Sequence, residues 1–467
     1  MKRGTRIPMG PTPLLLLAAL PLAAALGPVY GGRLAVGVLE LPGSLEPGDA
    51  HGRDAAMTLG LVHDTLVRVG PDGSVAPAIA LRWTSAASGL EWTLWLRSGL
   101  RFHDGSPLTS AEAARSIRRF LLSPSPLAAA LADRLDGGAA FRAMTSRDVA
   151  GVSAAGPDRI TLRLKAPYPT PFAPLSAMAA AITTADGAGA GPFVPNLHLP
   201  GRRLALIPFA DHWAGRPYVD SLEVAAGASP VALSADFDAG RLDVLPGQPG
   251  VSSLASTLLL VMDASRPPFD RPEARQTVDV ALDRMEITRL LAGAEPARGL
   301  LTPALLPPLP TGRTSAPSAR LEANVDLAVE RDVPPLVSQR LVALVSDLGL
   351  RVRVVPSSPA TALAAPAGLR LLAWSPQVPE ASLALRELAA LAAAPPAVLE
   401  MLAAAEQEAD ADRRRARLHR VEAALRESRL LVSLGAAPVS AALRAGVHGV
   451  AVDAAGRIRL EDAWAEP

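Results

Sequence analysis

The 467-residue sequence contains no cysteine, which excludes disulfide bonds, thiolate metal ligands, cysteine nucleophiles and a lipid-modified cysteine behind an export signal. Aromatic residues are scarce, at 4% of the chain. An excess of charge is lacking too, because Lys+Arg number 46 and Asp+Glu number 45. Binding to nucleic acid usually requires a basic face, so no such partner is expected. Apolar residues nevertheless make up 49% of the chain, and a chain this long can bury several cores without disulfides.

The motifs of common catalytic and metal sites are also missing. The sequence has no GxSxG nucleophile motif, and its seven histidines show neither HExxH nor closely paired ligand spacing. His103 and Asp104 are adjacent and precede Gly105, which is typical of a turn rather than of two catalytic groups that converge on a substrate. We therefore predict no catalytic residue, no metal site and no cofactor, and we do not expect an enzyme.

Residues 1–32 have the order of a secretory signal peptide. Lys2 and Arg3 form a positive start, an apolar run follows over 14–26, and small residues come next. The alternative is an uncleaved membrane anchor, but the apolar run is short for a bilayer span of about 20 residues. Export is therefore favoured, with cleavage between Ala25 and Gly32, and no later stretch is long and apolar enough to span a membrane.

Hydrophobic periodicity predicts a succession of strands and helices. Strands are predicted at 32–38, 90–97, 160–164, 204–207, 222–224, 350–355 and 369–374. Helices are predicted at 55–69, 109–120, 275–291, 338–348 and 397–427, and turns or linkers at 71–73, 246–250 and 307–317. Thr109 and Glu112 form a capping box, Gly349 ends a helix, and Asp410 and Asp412 are placed on a solvated helix face. Mixed elements without a repeat period indicate an α/β protein of two lobes.

Four segments carry a resemblance to a known family. The densest is residues 92–109, which read WTLWLRSGLRFHDGSPLT. It is followed by DHWAGRPYVD at 211–220, DAGRLDV at 238–244 and RPPFDRPEAR at 266–275. With these segments in this order, the chain resembles the oligopeptide-, dipeptide- and nickel-binding family of ABC-transporter solute-binding proteins. The resemblance extends over about 33–464, which is nearly the whole chain behind the signal peptide.

The resemblance implies an α/β, two-lobe periplasmic-binding-protein fold of the type II, cluster C kind, with an extra subdomain inserted in lobe I. Carried onto this sequence, lobe I is expected at 33–52, 188–255 and 440–467, the inserted subdomain at 53–187 and lobe II at 256–439. The ligand is then held between the lobes, which close around it by a hinge motion. Gly187, Gly189 and Gly191 fit a flexible crossing between the lobes.

The resemblance also implies where the ligand is held. The candidate ligand contacts are Asp49, His51, Arg53, Trp374, Gln377 and Glu380. Peptide-binding members place an aspartate three residues after a lobe II tryptophan, where it pairs with the α-ammonium group of the peptide. Here the third residue after Trp374 is Gln377, a neutral amide that cannot supply that charge, and Glu380 is the nearby substitute. The alternatives are that Trp374 only packs in the core and that the loop 49–53 is an ordinary solvated loop.

The resulting hypothesis is a monomeric periplasmic solute-binding protein. It captures a small solute, peptide-like as a first guess, and delivers it to an ABC permease that is driven by ATPase subunits. Two alternatives stay open. One is an exported receptor or scaffold of the same fold with an eroded pocket and no transport role. The other is an exported hydrolase, which the missing nucleophile and metal motifs disfavour.

Overall fold

The computed structural model of the protein describes residues 27–70, 74–308 and 320–466. The core of the predicted signal peptide, the turn at 71–73 and most of the segment 307–317 lie outside the described residues. The helices are α1 (Arg53–Val62), α2 (Ser110–Leu122), α3 (Pro126–Arg134), α4 (Gly138–Arg142), α5 (Pro230–Asp238), α6 (Pro272–Ala281), α7 (Arg284–Arg289), α8 (Pro335–Asp347), α9 (Pro359–Ala364), α10 (Ala381–Leu391), α11 (Pro396–Glu406) and α12 (Ala411–Glu427), with short 3₁₀ helices at Pro47–Asp49, Ala173–Ser176 and Met178–Ala180. The strands are β1 (Arg33–Val38), β2 (Val67–Val69), β3 (Val75–Pro77), β4 (Ala80–Ser85), β5 (Glu91–Leu96), β6 (Val152–Ala154), β7 (Arg159–Arg163), β8 (Phe193–Leu199), β9 (Arg203–Pro208), β10 (Ser221–Ala226), β11 (Val244–Met262), β12 (Glu295–Pro296), β13 (Ala323–Glu330), β14 (Leu350–Ser357), β15 (Leu369–Trp374), β16 (Leu431–Leu443), β17 (Val447–His448), β18 (Ala451–Val452), β19 (Ile458–Arg459) and β20 (Trp464–Ala465).

The largest sheet runs through both lobes in the order β14-β13-β15-β11-β1-β10-β9-β8, with β16 beside β11 and β12 beside β16. We use lobe I for the part of the molecule built on the half of this sheet with β1, β8, β9 and β10, and lobe II for the part built on the half with β13, β14 and β15. In lobe I, β1 is buried from Leu34 to Val38 because it pairs in parallel with both β10 and β11, as is usual for a strand covered on both faces.

Two long strands carry the chain from one lobe to the other. β11 begins beside β1, where Val244 lies opposite Val36, and ends beside β15 in lobe II. β16 runs antiparallel to β11 along nearly all of this length. The pairing slips between Pro246 and Val251, because proline donates no ladder hydrogen bond and Gly247 has a φ of 81°. We call β11 and β16 the crossing strands.

A separate sheet of four strands, β4-β5-β7-β6, shares an apolar core with α2 and α3. That core includes Leu94, Leu96, Ile117, Phe120, Leu131, Ile160 and Leu162. By contrast, Met57 and Val62 of α1 pack with Leu34 in the core of lobe I. By its packing, this separate unit begins after α1, at about Leu66.

The DHWAGRPYVD segment is anchored in lobe I by Asp64. One oxygen of its buried carboxylate lies 3.1 Å from Nε2 of His212 and accepts a hydrogen bond of 2.5 Å from Nε1 of Trp213. Burial alone would raise the pKa of Asp64, but the hydrogen bond to His212, the charge of Arg68 and the Trp213 bond lower it to about 2. This segment therefore has a structural role away from the crossing strands.

Two predicted helices are each two helices in the structure. The stretch 275–291 divides into α6 and α7, and Asp283 caps α7 by accepting a hydrogen bond from the Glu286 N–H group. The stretch 397–427 divides into α11 and α12, and the side chain of Asp410 accepts from the N–H group of Arg413. Asp410 is therefore a helix cap.

Two other predicted elements are confirmed, and one predicted helix is shorter in the structure. The capping box of Thr109 and Glu112 is present at the start of α2, and the predicted strand 369–374 matches β15. The predicted helix 55–69 is too long, because α1 ends at Val62 and residues 67–69 form β2.

The glycines near residue 190 do not form a flexible crossing, so that prediction is wrong. A Cβ atom at Gly189 would lie 2.1 Å from the carbonyl oxygen of Val62, and one at Gly191 would lie 2.5 Å from its carbonyl carbon. These glycines let two segments of lobe I approach closely, and the crossing strands make the connection instead. In the parts of the chain that the structure describes, no helix combines the length and apolarity needed to cross a bilayer.

Candidate ligand-binding cleft

Three cavities lie between the lobes near the crossing strands. The hinge cavity has a volume of about 650 Å³, and its lining includes Arg53, Pro246, Ser252, Asp332 and Pro438. The Trp374 cavity has a volume of about 500 Å³, and its lining includes His51, Arg53, Met178, Glu330, Trp374, Gln377, Glu387 and Arg457. The outer cavity has a volume of about 410 Å³, and its lining includes Glu40, Asp49, His51, Asp54 and Asp332. Shared lining residues make the three cavities parts of one cleft.

An ion pair joins the lobes where the cavities meet. Arg53 stands at the start of α1 in lobe I, and its Nη2 atom lies 2.9 Å from Oδ2 of Asp332, which follows β13 in lobe II. Beside it, Gly52 has a φ of 83°, and a Cβ atom there would lie 2.6 Å from Cβ of Pro359 in lobe II. Only glycine allows the two lobes to approach this closely at this point.

The three site residues predicted in lobe I all line the cleft. Arg53 lines both the hinge cavity and the Trp374 cavity. His51 is exposed at the boundary between the Trp374 cavity and the outer cavity. Asp49 lines only the outer cavity, and its carboxylate accepts a hydrogen bond from the Ser44 hydroxyl. Their contact with a ligand stays a prediction.

Of the three site residues predicted in lobe II, two line the cleft and one does not. Trp374 and Gln377 line the Trp374 cavity, while Trp374 is only 8% exposed and also packs in a lobe II core. Trp374 is thus both a core residue and part of the cavity wall. Glu380 lies outside the linings of all three cavities. Its carboxylate caps α10 by accepting hydrogen bonds from the Leu383 N–H group and the Ser382 hydroxyl. Its role as the substitute acid stays a prediction.

Sequence reasoning missed Glu387, which lines the Trp374 cavity. Its carboxylate accepts from the backbone N–H of Gln377 at 3.0 Å, so an acid does lie next to the position where the predicted aspartate is missing. Burial raises the pKa of Glu387 to about 8. The sequence carries a signal for it, because Glu387 lies one helical turn from Leu383 and from Leu391, on the otherwise apolar face of α10.

Two further carboxyl groups in the cleft were also missed. Burial and the nearby charge of Asp332 raise the pKa of Asp54 to about 7 and that of Glu330 to about 7. Asp54 accepts hydrogen bonds from the Leu39 and Glu40 N–H groups at 2.9 and 3.2 Å, and Glu330 accepts one from Ala373 at 2.9 Å. Near Arg53 the cleft is therefore richer in acids than in bases.

The far rim of the cleft is closed by direct contact between lobe II and the separate four-stranded unit. Glu406 of α11 accepts two hydrogen bonds from Arg386, at 3.0 and 2.8 Å, and lies 3.4 Å from Nη2 of Arg134 in α3. The side chains of Arg134 and Glu406 are each 3% exposed. Val378 and Leu383 of lobe II are fully buried in the core of the four-stranded unit. Lobe II thus touches the four-stranded unit through both ionic and apolar contacts.

The cleft places polar and charged side chains beside an apolar wall. Within the described ranges, no group of three or more His, Asp or Glu side chains is placed to hold a metal ion. His103 and Asp104 lie in a turn outside the cavity linings, where Asp104 accepts hydrogen bonds from Ser106.

Comparison with known proteins places this fold in a family. The family model for bacterial extracellular solute-binding proteins, family 5 Middle, matches residues 74–330, which is more than half of the chain. The chain is 31% identical over 133 residues to the probable deoxycholate-binding periplasmic protein YgiS of Escherichia coli (strain K12), covering 28% of this chain and 25% of that protein. It is 22% identical over 254 residues to the nickel-binding periplasmic protein of the same organism, covering 49% of this chain and 47% of that protein. The matched segments span between a quarter and a half of the length of these relatives.

The two-lobe fold is confirmed by solved structures. The murein tripeptide binding protein MppA of Escherichia coli superposes with a TM-score of 0.83 and 16% identity, covering 93% of this chain and 98% of that one. The unliganded open form of MppA scores 0.65 with 16% identity, covering 94% and 98%. On the match to the family model and the fold, the chain belongs to the bacterial extracellular solute-binding proteins of family 5.

Proposed function

We propose that this protein is an exported periplasmic solute-binding protein that captures a small solute between its lobes and delivers it to an ABC importer. Its partners are a permease and the ATPase subunits that drive it. It acts as a monomer and binds its cargo without converting it chemically. The named relatives bind different cargoes, since their names refer to deoxycholate, nickel and a murein tripeptide. Family membership therefore leaves the cargo open beyond the peptide-like first guess.

The observation that carries this proposal is a cavity walled by both lobes. On the lobe I side, the Trp374 cavity is lined by Gly48, Ala50, His51, Gly52 and Arg53, and on the lobe II side by Trp374, Ser375, Pro376 and Gln377. A ligand that touches both walls binds the closed form more tightly than the open form, and so it shifts the population toward closure. Closure is the state that a permease can recognise.

A receptor or scaffold without a transport role is the second candidate, and the far rim favours it. Arg134, Glu406 and Arg386 form buried contacts across the rim, and Leu383 is buried in the core of the four-stranded unit. Such contacts between side chains of the same protein hold lobe II against the four-stranded unit without a ligand. A protein that stays closed cannot admit a solute and release it.

A thermal-shift screen of the chain from Arg33 onward separates the two candidates. The screen covers short peptides, amino acids, sugars, bile acids and metal chelates, since a ligand at 100 times its Kd adds about 2.7 kcal/mol of stability. A reproducible shift with one chemical class supports capture, whereas a folded protein that responds to none of them supports the scaffold.

A histidine pair provides the matched control for that screen. Replacing the exposed His51 in the cleft by alanine (His51→Ala) should reduce the shift of a true cleft ligand. Replacing His198 of β8, which lies outside the cavity linings, by alanine should leave the shift unchanged. An unchanged shift in His51→Ala would indicate binding elsewhere on the protein, and equal loss in both variants would indicate a general effect on stability.

A further inference from the structure

The Trp374 cavity has a carboxyl group with no cationic partner. Glu387 is 7% exposed, and the cationic side chains that line the same cavity are engaged elsewhere. Arg53 pairs with Asp332 at 2.9 Å, and Arg457 pairs with Asp453 at 2.8 Å. The neighbour of Glu387 in α10, Arg386, is bound by Glu406 at the far rim.

The hydrogen bonds that Glu387 makes leave part of its capacity unused. Its two oxygens accept from the Gln377 N–H group at 3.0 and 3.3 Å, and the Val378 N–H group also contributes. A carboxylate offers about four acceptor positions, so acceptor capacity remains on a side chain that lines the cavity.

A second polar atom of this cavity is also unsatisfied. The hydroxyl oxygen of Ser375, two residues before Gln377, is buried and has no hydrogen-bond partner among the described residues. Buried polar atoms in native proteins usually have a partner, and one without a partner in a cavity points to a ligand group. An ammonium group carries three donors and can satisfy a carboxylate and a hydroxyl together.

One part of the cavity wall is apolar, although Glu330 and His51 also line the cavity. The apolar part is formed by Pro124, Pro126, Met178, Leu363, Trp374 and Leu391. An apolar wall favours a ligand with a hydrophobic body. The carboxylate of a zwitterionic ligand finds no unpaired arginine among the described residues of this lining, because Arg53 and Arg457 are both engaged.

We propose that the Trp374 cavity binds an apolar cation, meaning a compound with a hydrophobic body and one ammonium group, and that Glu387 is the residue that selects the ammonium. This rests on the proposed capture function and narrows its cargo. The cation displaces the proton that burial keeps on Glu387, so that the ammonium lies against the Glu387 carboxylate and the Ser375 hydroxyl and the released proton goes to the solvent. The hydrophobic body lies against Trp374 and Met178. Zwitterionic dipeptides bind more weakly, since both arginines in the described lining of this cavity are already paired.

Isothermal titration with matched probes tests the proposal on the chain from Arg33 onward. The amines are phenylbutylamine and octylamine, and the comparison compounds are the corresponding alcohols and carboxylates and the dipeptide Leu-Leu. We expect the amines to bind at least about tenfold more tightly than the alcohols, because a buried ionic hydrogen bond is worth at least that factor. Carboxylates or Leu-Leu binding as tightly as the amines would overturn the proposal.

The variant Glu387→Gln tests the role of the residue. Glutamine has the shape of the protonated acid and can still accept from Gln377, so the variant should fold. We expect it to bind the amines at least about tenfold more weakly and the alcohols equally well. The control is Glu400→Gln, on the exposed face of α11, which should bind all probes as the unchanged protein does. Equal amine affinity in Glu387→Gln and the unchanged protein would show that Glu387 is only a structural acid.

The outcomes distinguish this proposal from the proposed function. If sugars, dipeptides or bile acids bind in the cleft and amines do not, capture stands and the apolar-cation proposal is wrong. If the folded protein binds no probe of any class, both proposals are wrong, and the scaffold candidate gains.

Discussion

The carboxyl group of Glu387 also makes the stability of the protein depend on pH. Burial raises its pKa to about 8, from 4.5 for an unperturbed glutamate. Between these two values, the folded chain keeps a proton that the unfolded chain has lost. Each added pH unit therefore lowers the free energy of unfolding by about 1.4 kcal/mol through this group. The stability is fully present below pH 4.5 and is lost as the pH rises through about 8.

Replacing Glu387 by glutamine should remove this dependence. The variant keeps a neutral, hydrogen-bonded group at all pH values, so its stability relative to the unchanged protein should increase up to about pH 8. Thermal midpoints measured in steps from about pH 6.5 to 8.5 check this. Glu330, with a pKa of about 7, lowers the stability of both proteins equally as the pH rises. His63, with a pKa of about 4, makes the stability of both proteins rise with pH, but only below about pH 6.5. Parallel curves for the two proteins would mean that Glu387 is already ionised.

The residues of the cleft could be predicted only in part. His51, Arg53, Trp374 and Gln377 do line the Trp374 cavity, because the family pattern fixes which loops face it. Glu387 could not be placed there, since the hydrogen bond between it and the Gln377 backbone depends on how α10 packs against the end of β15. The spacing in α10 shows that an acid lies on an apolar face, but tertiary packing decides which group that acid contacts.

At the scale of elements, strands were predicted better than long helices. The strand 369–374 matches β15 because its apolar run ends at a proline-containing turn. The predicted helix 397–427 failed because helical periodicity continues across the break between α11 and α12. Asp410 sits at that break, where an aspartate N-cap outweighs helix propensity.

Replacing Asp410 by alanine should loosen the start of α12. The side chain now accepts from the Arg413 N–H group at 2.8 Å, and without it the first turn loses its cap. Hydrogen–deuterium exchange should become about fivefold faster in that turn and stay unchanged in α11. The matched control is Asp412→Ala, because the Asp412 side chain is 92% exposed and should have little effect. Equal acceleration in both variants would indicate a general charge effect.

The arrangement of the whole molecule results from the two crossing strands and from contacts on both sides of them. Periodicity predicted two lobes, but it could not show that one 19-residue strand, β11, spans both. The proline-rich stretch 246–250 was predicted as a linker because proline and glycine signal turns. It lies instead within β11, where β16 pairs with the strand on either side of the slip. Long-range pairing overrides local signals here.

The ion pair between Arg53 and Asp332 should set the balance between closed and open lobes. Arg53→Asp places a third acid beside Asp54 and Asp332, where burial and the charge of Asp332 already raise the pKa of Asp54 to about 7. The lobes should then separate, since closure would bury like charges, and small-angle X-ray scattering should give a larger radius of gyration. The exchanged double variant Arg53→Asp with Asp332→Arg restores opposite charges and should bring the radius back toward that of the unchanged protein. A radius that stays the same in Arg53→Asp would show that the buried contacts of Arg134 and Glu406 at the far rim are sufficient to hold the lobes closed.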